Sequence, residues 1–223
     1  MSKPLQAFIF DLDGVITDTA EYHYLAWKQL GEDLGILFTR EFNEELKGVS
    51  RMDSLEKILA LGNRQNDFTQ EEKEALATKK NEHYVSLIVN ITPKDILPGI
   101  KELLAAIKAE GYKLGLASVS KNAFAVMDSL GLKNEFDVIV DAATIAKGKP
   151  DPEIFLTAAK LLNVDPTACI GIEDAAAGVD SIKGAGMFAV GVGSEETLAK
   201  ADLIYPSTEK LLLGEIIKAY QEQ

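Results

Sequence analysis

The sequence predicts an α/β fold, a doubly wound and mostly parallel sheet with a small all-helical unit inserted after the first strand. Three observations carry this. Short apolar runs of strand length alternate with amphipathic stretches from about residue 113 onward, the pattern of a parallel sheet layered between helices. An isolated apolar run, Ala7 to Phe10, stands ahead of them near the N-terminus. From about Thr17 to Val89, helix signals follow one another with no strand among them. Segments 1–16 and 90–223 are therefore expected to form the sheet unit, and 17–89 a helical cap hinged at two points.

Taken in order, Asp18-Thr19-Ala20-Glu21 has the spacing of a capping box. The helix after it carries Ala26, Trp27, Leu30 and Leu34 on one face, shared by His23, and stops at Gly35. Ser50-Arg51-Met52-Asp53 opens a second helix, with Leu55, Ile58 and Leu59 as its stripe and Gly62 as its end. Thr69-Gln70-Glu71-Glu72 is a cleaner capping box for a third, expected to bury Leu76, Tyr84, Leu87 and Ile88. Ile91 to Leu97, with Pro93, reads as a linker, and Pro98-Gly99 starts a helix ending near Glu110-Gly111. Strands are then expected at Lys113 to Ala117, Phe136 to Val140, Ala168 to Ile172 and Met187 to Val192. Leu203 to Tyr205 is expected as an edge strand and Ser207 to Tyr220 as the terminal helix.

The chain has 223 residues, enough to bury a real core, and at 47% apolar and 26% charged it has the composition of an ordinary globule. Its formal charge is −12, the wrong sign for a nucleic-acid or anionic-membrane binder. Neither partner is expected, and an anionic substrate must be drawn in by local cations. Cys169 is the only cysteine, so no intrachain disulfide forms and a reducing compartment is expected. The N-terminal stretch is too brief and too quickly acidic for a secretory leader, and no apolar run approaches the roughly 20 residues that span a bilayer. The expected setting is cytoplasmic, and nothing in the sequence asks for an obligate partner, so a monomer is expected.

The chemistry concentrates where apolar runs end. The first gives way to Asp11-Leu12-Asp13-Gly14, whose two acids, spaced by two, lie on one side of an extended backbone roughly 6–7 Å apart. In an open α/β sheet, ligands bind just past the carboxyl ends of strands. One carboxylate of such a pair can attack a phosphoryl group, while the other holds or releases the proton of the hydroxyl that gives or takes it. Two anions beside a phosphate need a cation between them, and magnesium, hard and oxygen-seeking, suits that task. Later strand ends supply the remaining parts. Ser118 offers a hydroxyl ahead of a helix start at Asn122, whose N-terminus favours anions. Lys149 stands just before a helix with Asp151 as its cap and Pro152 at its first position. Glu173 and Asp174 add two more carboxylates after Gly171-Ile172.

With these residues in this order the sequence resembles the haloacid-dehalogenase-type phosphotransferases. The family's four motifs stand here as Asp11-Leu12-Asp13-Gly14, Ser118, Lys149 and Gly171-Ile172-Glu173-Asp174. The inserted helices resemble the family's small helical cap. Asp11 to His23, Leu46 to Arg51 and Ala117 to Asn122 narrow the likeness to its sugar-phosphate mutase branch, over nearly the full chain. Ala175, where many relatives carry Ser or Thr, and Val119, where a smaller residue is expected, depart from the pattern without touching a reacting atom.

The resemblance implies a set of roles. Asp11 would become an aspartyl phosphate and Asp13 would serve as general acid and base. Asp11, the main-chain carbonyl of Asp13, Glu173 and Asp174 would surround Mg2+. Ser118 and Lys149 would hold the transferring phosphoryl group, and Arg51 the non-transferring phosphate, which suits a planar two-pronged donor. Thr19, Trp27, Ser54, the run Lys47, Gly48, Val49 and Ser50, and the run Ser118, Val119, Ser120, Lys121 and Asn122 would border the sugar phosphate. His23 and Lys80 would link its binding to cap closure. Lys80 also falls between Leu76 and Tyr84 on one helical face, where a lysine stem can simply lie along apolar neighbours. The activity implied is interconversion of β-glucose 1-phosphate and glucose 6-phosphate through a bisphosphate. The alternatives are a magnesium-dependent sugar-phosphate phosphatase on the same scaffold and, in a different class, a non-catalytic sugar-phosphate binder. The core motifs serve both enzymes equally, and only the cap residues favour the mutase.

Overall fold

The computed structural model describes residues 4–223, so the first three residues of the expected segment 1–16 lie outside the described residues. Its centre is a six-stranded sheet of order β3-β2-β1-β4-β5-β6. These strands are β1 (Ala7–Phe10), β2 (Lys113–Leu116), β3 (Val138–Ile139), β4 (Cys169–Glu173), β5 (Phe188–Val192) and β6 (Leu203–Tyr205), and every pairing is parallel. All the expected strands are present. β1 lies between β2 and β4, with Phe10 opposite both Leu116 and Ile172. The chain winds outward in opposite directions from there, so the crevice past β1 is the topological switch point where such sheets bind ligands.

Alternation along β1 divides the core. Phe8 and Phe10 face α5 (Ile100–Ala109), α6 (Ala123–Ser129) and α9 (Leu213–Gln221) through Leu103, Ile107, Met127 and Ile216. Ala7 and Ile9 face α7 (Glu153–Leu162) and α8 (Ala176–Gly184) through Phe155, Ala158 and Ile182. Cys169 is fully buried on β4, and burial pushes its thiol up to about 12, so it packs as an inert apolar residue.

Between β1 and α5 the chain forms α1 (Ala20–Asp33), α2 (Arg40–Glu44), α3 (Arg51–Leu61) and α4 (Gln70–Ile88). They have a core of their own around Trp27, Phe38, Leu55, Ile58 and Leu59. The chain enters and leaves them side by side. Thr17 donates from Oγ1 to the Asp95 carbonyl over 2.7 Å, and Leu97 N donates to the Ile16 carbonyl over 2.9 Å.

Several expectations shift locally. The capping box at Asp18 does not form: Asp18 accepts from Ala20 N, while Glu21 is taken by Arg40 in a two-pronged pair at 2.6 and 2.8 Å. The box at Thr69 and Glu72 does form. On α4, Tyr84 and Ile88 are buried, whereas Leu76 and Leu87 are only partly covered. Pro152, rather than Asp151, is the residue before α7, although Asp151 Oδ1 still accepts from Glu153 N over 3.0 Å. The terminal helix begins at Leu213, not Ser207. A 3-10 turn, Thr208–Lys210, comes first, held against the Pro98-Gly99 corner by the 2.8 Å bond from Thr208 Oγ1 to the Pro98 carbonyl.

Candidate active site

Strand register alone assembles the first layer of the site. Asp11, one residue past β1, donates its N–H to the Ile172 carbonyl, which sets it beside Glu173 at the end of β4. On the other flank, Ala117 N donates to the Phe10 carbonyl and delivers Ser118 to the same edge. Lys149 rises from the loop before α7 and donates from Nζ to Asp11 Oδ1 over 2.6 Å and to Glu173 Oε2 over 3.4 Å. All three of these charged residues are buried.

The carboxylates of Asp11, Glu173 and Asp174 bring oxygens within 4.8 Å of one another, a set able to hold a metal ion. Two glycines make room for it. A Cβ on Gly14 would stand 2.1 Å from Asp174 Oδ2, and one on Gly178 would stand 1.8 Å from Glu173 Oε1. Asp174 is not the cap of α8, which Ala175 precedes. Burial, then the Asp11 charge, pushes Glu173 well above the usual carboxylate range and Asp174 up to about 7. Burial works against the Lys149 ammonium too, but Asp11 and Glu173 outweigh it and hold its pKa above the ordinary lysine value. Glu173 Oε1 is left buried without a partner. One lysine thus offsets part of a three-carboxylate charge, and the unpartnered oxygen and raised acids are what a divalent, oxygen-seeking cation would satisfy.

Asp13 stands apart from this triad. Its Oδ1 is buried without a partner, while its Oδ2 lies 3.9 Å from Nε2 of His23, which reaches in from α1. Burial, then Asp11 and Asp174, raises the Asp13 pKa well above its ordinary value, whereas burial, Lys80 and Arg51 hold His23 well below its own. Burial thus acts on both partners of the contact in the direction of their uncharged forms. Lys80 Nζ lies 2.8 Å from His23 Nδ1 and stands over the rings of Trp27 at 4.6 Å and Tyr84 at 4.9 Å. His23 stacks on Tyr84 with ring centroids 4.0 Å apart. Lys80 thus meets the imidazole at Nδ1, which leaves Nε2 as the ring nitrogen on the Asp13 side. Burial, then repulsion from Arg51, pushes Lys80 down to about 7.

A cavity runs between these two layers. Of the residues singled out from sequence, Asp11, Asp13, His23, Trp27, Lys47, Gly48, Val49, Arg51, Ser54, Lys80, Ser118, Val119, Ser120, Lys121 and Asp174 line it. Others are displaced from its wall. Lys149 and Glu173 lie buried next to Asp11, and Thr19 is fully buried. Ser50 instead caps α3, accepting from Asp53 N, and packs against Gly148, where a Cβ would come 3.1 Å from its own. Asn122 donates from Nδ2 to Asn81 Oδ1. Gly48, at φ +70°, lies over the core residues, since a Cβ there would be 3.5 Å from Ala175 Cβ and 3.6 Å from Glu173 Oε1. A small residue at 175 suits that approach. The wall also includes Leu46, which opens the run Leu46 to Arg51, and Asn43, which carries no sequence signal beyond its nearness to Lys47.

A family model described as haloacid dehalogenase-like hydrolase matches residues 5–186. A β-phosphoglucomutase of Bacillus subtilis is 53% identical over 209 residues, 94% of this chain and 92% of that protein. A phosphorylated-carbohydrates phosphatase of Thermotoga maritima is 31% identical over 82% of each chain. Among solved structures, a β-phosphoglucomutase from Clostridium difficile superposes with a TM-score of 0.96 at 54% identity, covering 98% of both chains.

Proposed function

The chain belongs to the haloacid dehalogenase-like hydrolase family, and from that premise we propose that it is a β-phosphoglucomutase, an isomerase that moves a phosphoryl group between O1 and O6 of β-glucose phosphate. The observation that carries the reading is a pair of candidate phosphate sites at opposite sides of one cavity, Asp11 with the lysine behind it and Arg51 facing it. Lys149 sits against Asp11 on the core side, and Arg51 looks in from the cap without a carboxylate to neutralise it. A substrate phosphorylated at both ends fits such a site, and the similarity to β-phosphoglucomutases over nearly the full chain supports it.

In this reading, residues 17–89 are the cap, and Asp11 carries the phosphoryl group between turnovers. The O6 proton of β-glucose 1-phosphate passes to Asp13 as O6 bonds to phosphorus. The bond from phosphorus to Asp11 breaks, and its electron pair returns to the carboxylate. The bisphosphate then turns over in the cavity. The Asp11 carboxylate attacks the 1-phosphoryl group, Asp13 gives its proton to departing O1, and glucose 6-phosphate leaves. The raised pKa of Asp13 suits a group that must hold that proton meanwhile. Ser118 and Lys149 hold the moving phosphoryl group, Arg51 holds the other phosphate, and Trp27, Ser54, the run 47–49 and the loop 119–121 border the sugar. Asp11, Glu173 and Asp174, with the Asp13 main-chain carbonyl, would hold Mg2+, which when bound supplies charge neutralisation for the transfer. Cap closure excludes water, so the sugar hydroxyl outcompetes hydrolysis.

The site is complete within one chain, so the reading needs no partner subunit. Among the described residues no helix is long and apolar enough to cross a membrane, and the single buried cysteine fits a reducing, cytoplasmic setting. The test is to incubate the protein with Mg2+, β-glucose 1-phosphate and a trace of β-glucose 1,6-bisphosphate and to follow glucose 6-phosphate against free phosphate. Glucose 6-phosphate should dominate. Predominant free phosphate would make the protein a phosphatase like its Thermotoga relative, and neither product would leave a binder.

A further inference from the structure

Arg51 is half-buried, and burial lowers its pKa with no carboxylate contributing to the shift. Its guanidinium is held instead by a neutral group: Nη2 donates to Asn81 Oδ1 over 2.8 Å. The same oxygen accepts from Asn122 Nδ2, also over 2.8 Å. Arg51 is on α3 and Asn81 on α4, both in the cap, whereas Asn122 stands at the start of α6 in the core. Away from the two hinge strands, this is the side-chain hydrogen bond that ties cap to core among the described residues, the Asp13–His23 contact at 3.9 Å being too long for one. Asn81 itself does not line the cavity.

An amide oxygen has two lone pairs, and here each meets one donor. Arg51 has five N–H donors in a fixed fork, so one bond to Asn81 can fix its plane and leave the rest for a two-pronged grip on phosphate. Charge explains the choice of residue. An aspartate at 81 could make the same two contacts, but it would cancel the Arg51 charge and set an anion behind the phosphate site.

We propose that Asn81 is a positioning residue of the mutase. Its single oxygen aims Arg51 at the non-transferring phosphate and, because the same oxygen is held by Asn122 of the core, it does so only when the cap is shut on the core. The distal clamp and the closed state therefore form as one event. Water meets the aspartyl phosphate when the cap is open, at a moment when Arg51 is not aimed. This inference rests on the mutase reading.

The test compares wild type, N81A and N81D for KM and kcat with β-glucose 1-phosphate, for the fraction of phosphoenzyme lost as free phosphate, and for phosphoenzyme formation from acetyl phosphate. N81A should raise KM for β-glucose 1-phosphate by about tenfold, the order expected from losing a charge-assisted hydrogen bond. It should also raise the free-phosphate fraction, with a smaller effect on acetyl phosphate, which has no distal phosphate. N81D keeps shape and acceptors, so a merely structural bridge would be rescued by it; the proposal expects its KM to rise further than that of N81A. If N81A folds poorly, N81S, too short to span both donors, gives the same comparison. Wild type yielding only free phosphate would remove the mutase reading and this inference with it. A working wild-type mutase whose N81D matches it, or whose N81A leaves KM and partition unchanged, would overturn this inference alone.

Discussion

Asp13 Oδ2 and His23 Nε2 face each other at 3.9 Å across the cleft, one from the core and one from the cap. Neither is in its ordinary ionisation range, since burial raises the acid and lowers the imidazole. Asp13 thus holds a proton more readily than a solvated aspartate does, with the His23 ring set over it from the cap.

Replacing Asp13 by Asn should lower mutase kcat by about 10²–10⁴-fold, the usual worth of a positioned acid and base. Asp11 should still take a phosphoryl group from acetyl phosphate, whose leaving group needs little protonation. Steady-state kinetics beside single-turnover labelling separates the two steps. Equal losses in both would mean that Asp13 does not act on the sugar hydroxyl.

Arg51→Ala should impair turnover of β-glucose 1-phosphate far more than hydrolysis of p-nitrophenyl phosphate, which carries one phosphate only. Arg51→Lys should recover little, because a point charge does not reproduce the planar fork held by Asn81. The ratio of kcat/KM values for the two substrates is the quantity to measure.

Lys80 predicts a pH effect on stability. It is surrounded by His23, Arg51, Trp27, Tyr84 and the more distant Asp13, and its folded pKa is about 7. An unfolded lysine titrates near 10.4. Between about 7 and that value the unfolded chain binds the extra proton, so this residue makes the fold more stable as pH rises through that window. Lys80→Met removes the term. Urea unfolding should show the variant losing ground to wild type from pH 6 to 9, and a pH-independent difference would contradict the assignment.

Gly178 lies in α8, where alanine is ordinarily favoured by about 1 kcal/mol. Here its Cβ would collide with Glu173 at 1.8 Å. Gly178→Ala should therefore destabilise the fold, by about 1–3 kcal/mol as overpacked sites do, and weaken Mg2+ binding in a calorimetric titration. In a Glu173→Ala background, which removes the Cγ, Cδ and Oε1 atoms that stand in the way, the same change should be neutral or stabilising.

What the sequence made legible follows from how local each signal is. Asp11, Ser118, Lys149 and Glu173 could be read because each ends a short apolar run or opens a helix, and parallel strands must bring such ends to one edge. The Asp18 capping box was misleading because Glu21 has a competing partner, Arg40, nineteen positions away, which spacing does not reveal. Asn81 was invisible: it sits in the polar run Lys79-Lys80-Asn81-Glu82, and its meaning comes from two donors on other elements. Burial of Lys80 likewise depends on α1 packing against α4, which supplies Trp27 and His23 as its neighbours.

The most direct test asks where the phosphoryl group resides. Enzyme incubated with Mg2+ and β-glucose 1,6-bisphosphate, quenched in acid and reduced with borohydride, converts an aspartyl phosphate to homoserine, which peptide mass mapping locates. The modified residue should be at position 11 and absent from Asp11→Asn. A label at any other residue, or a covalent phosphate that persists in that variant, would contradict the account.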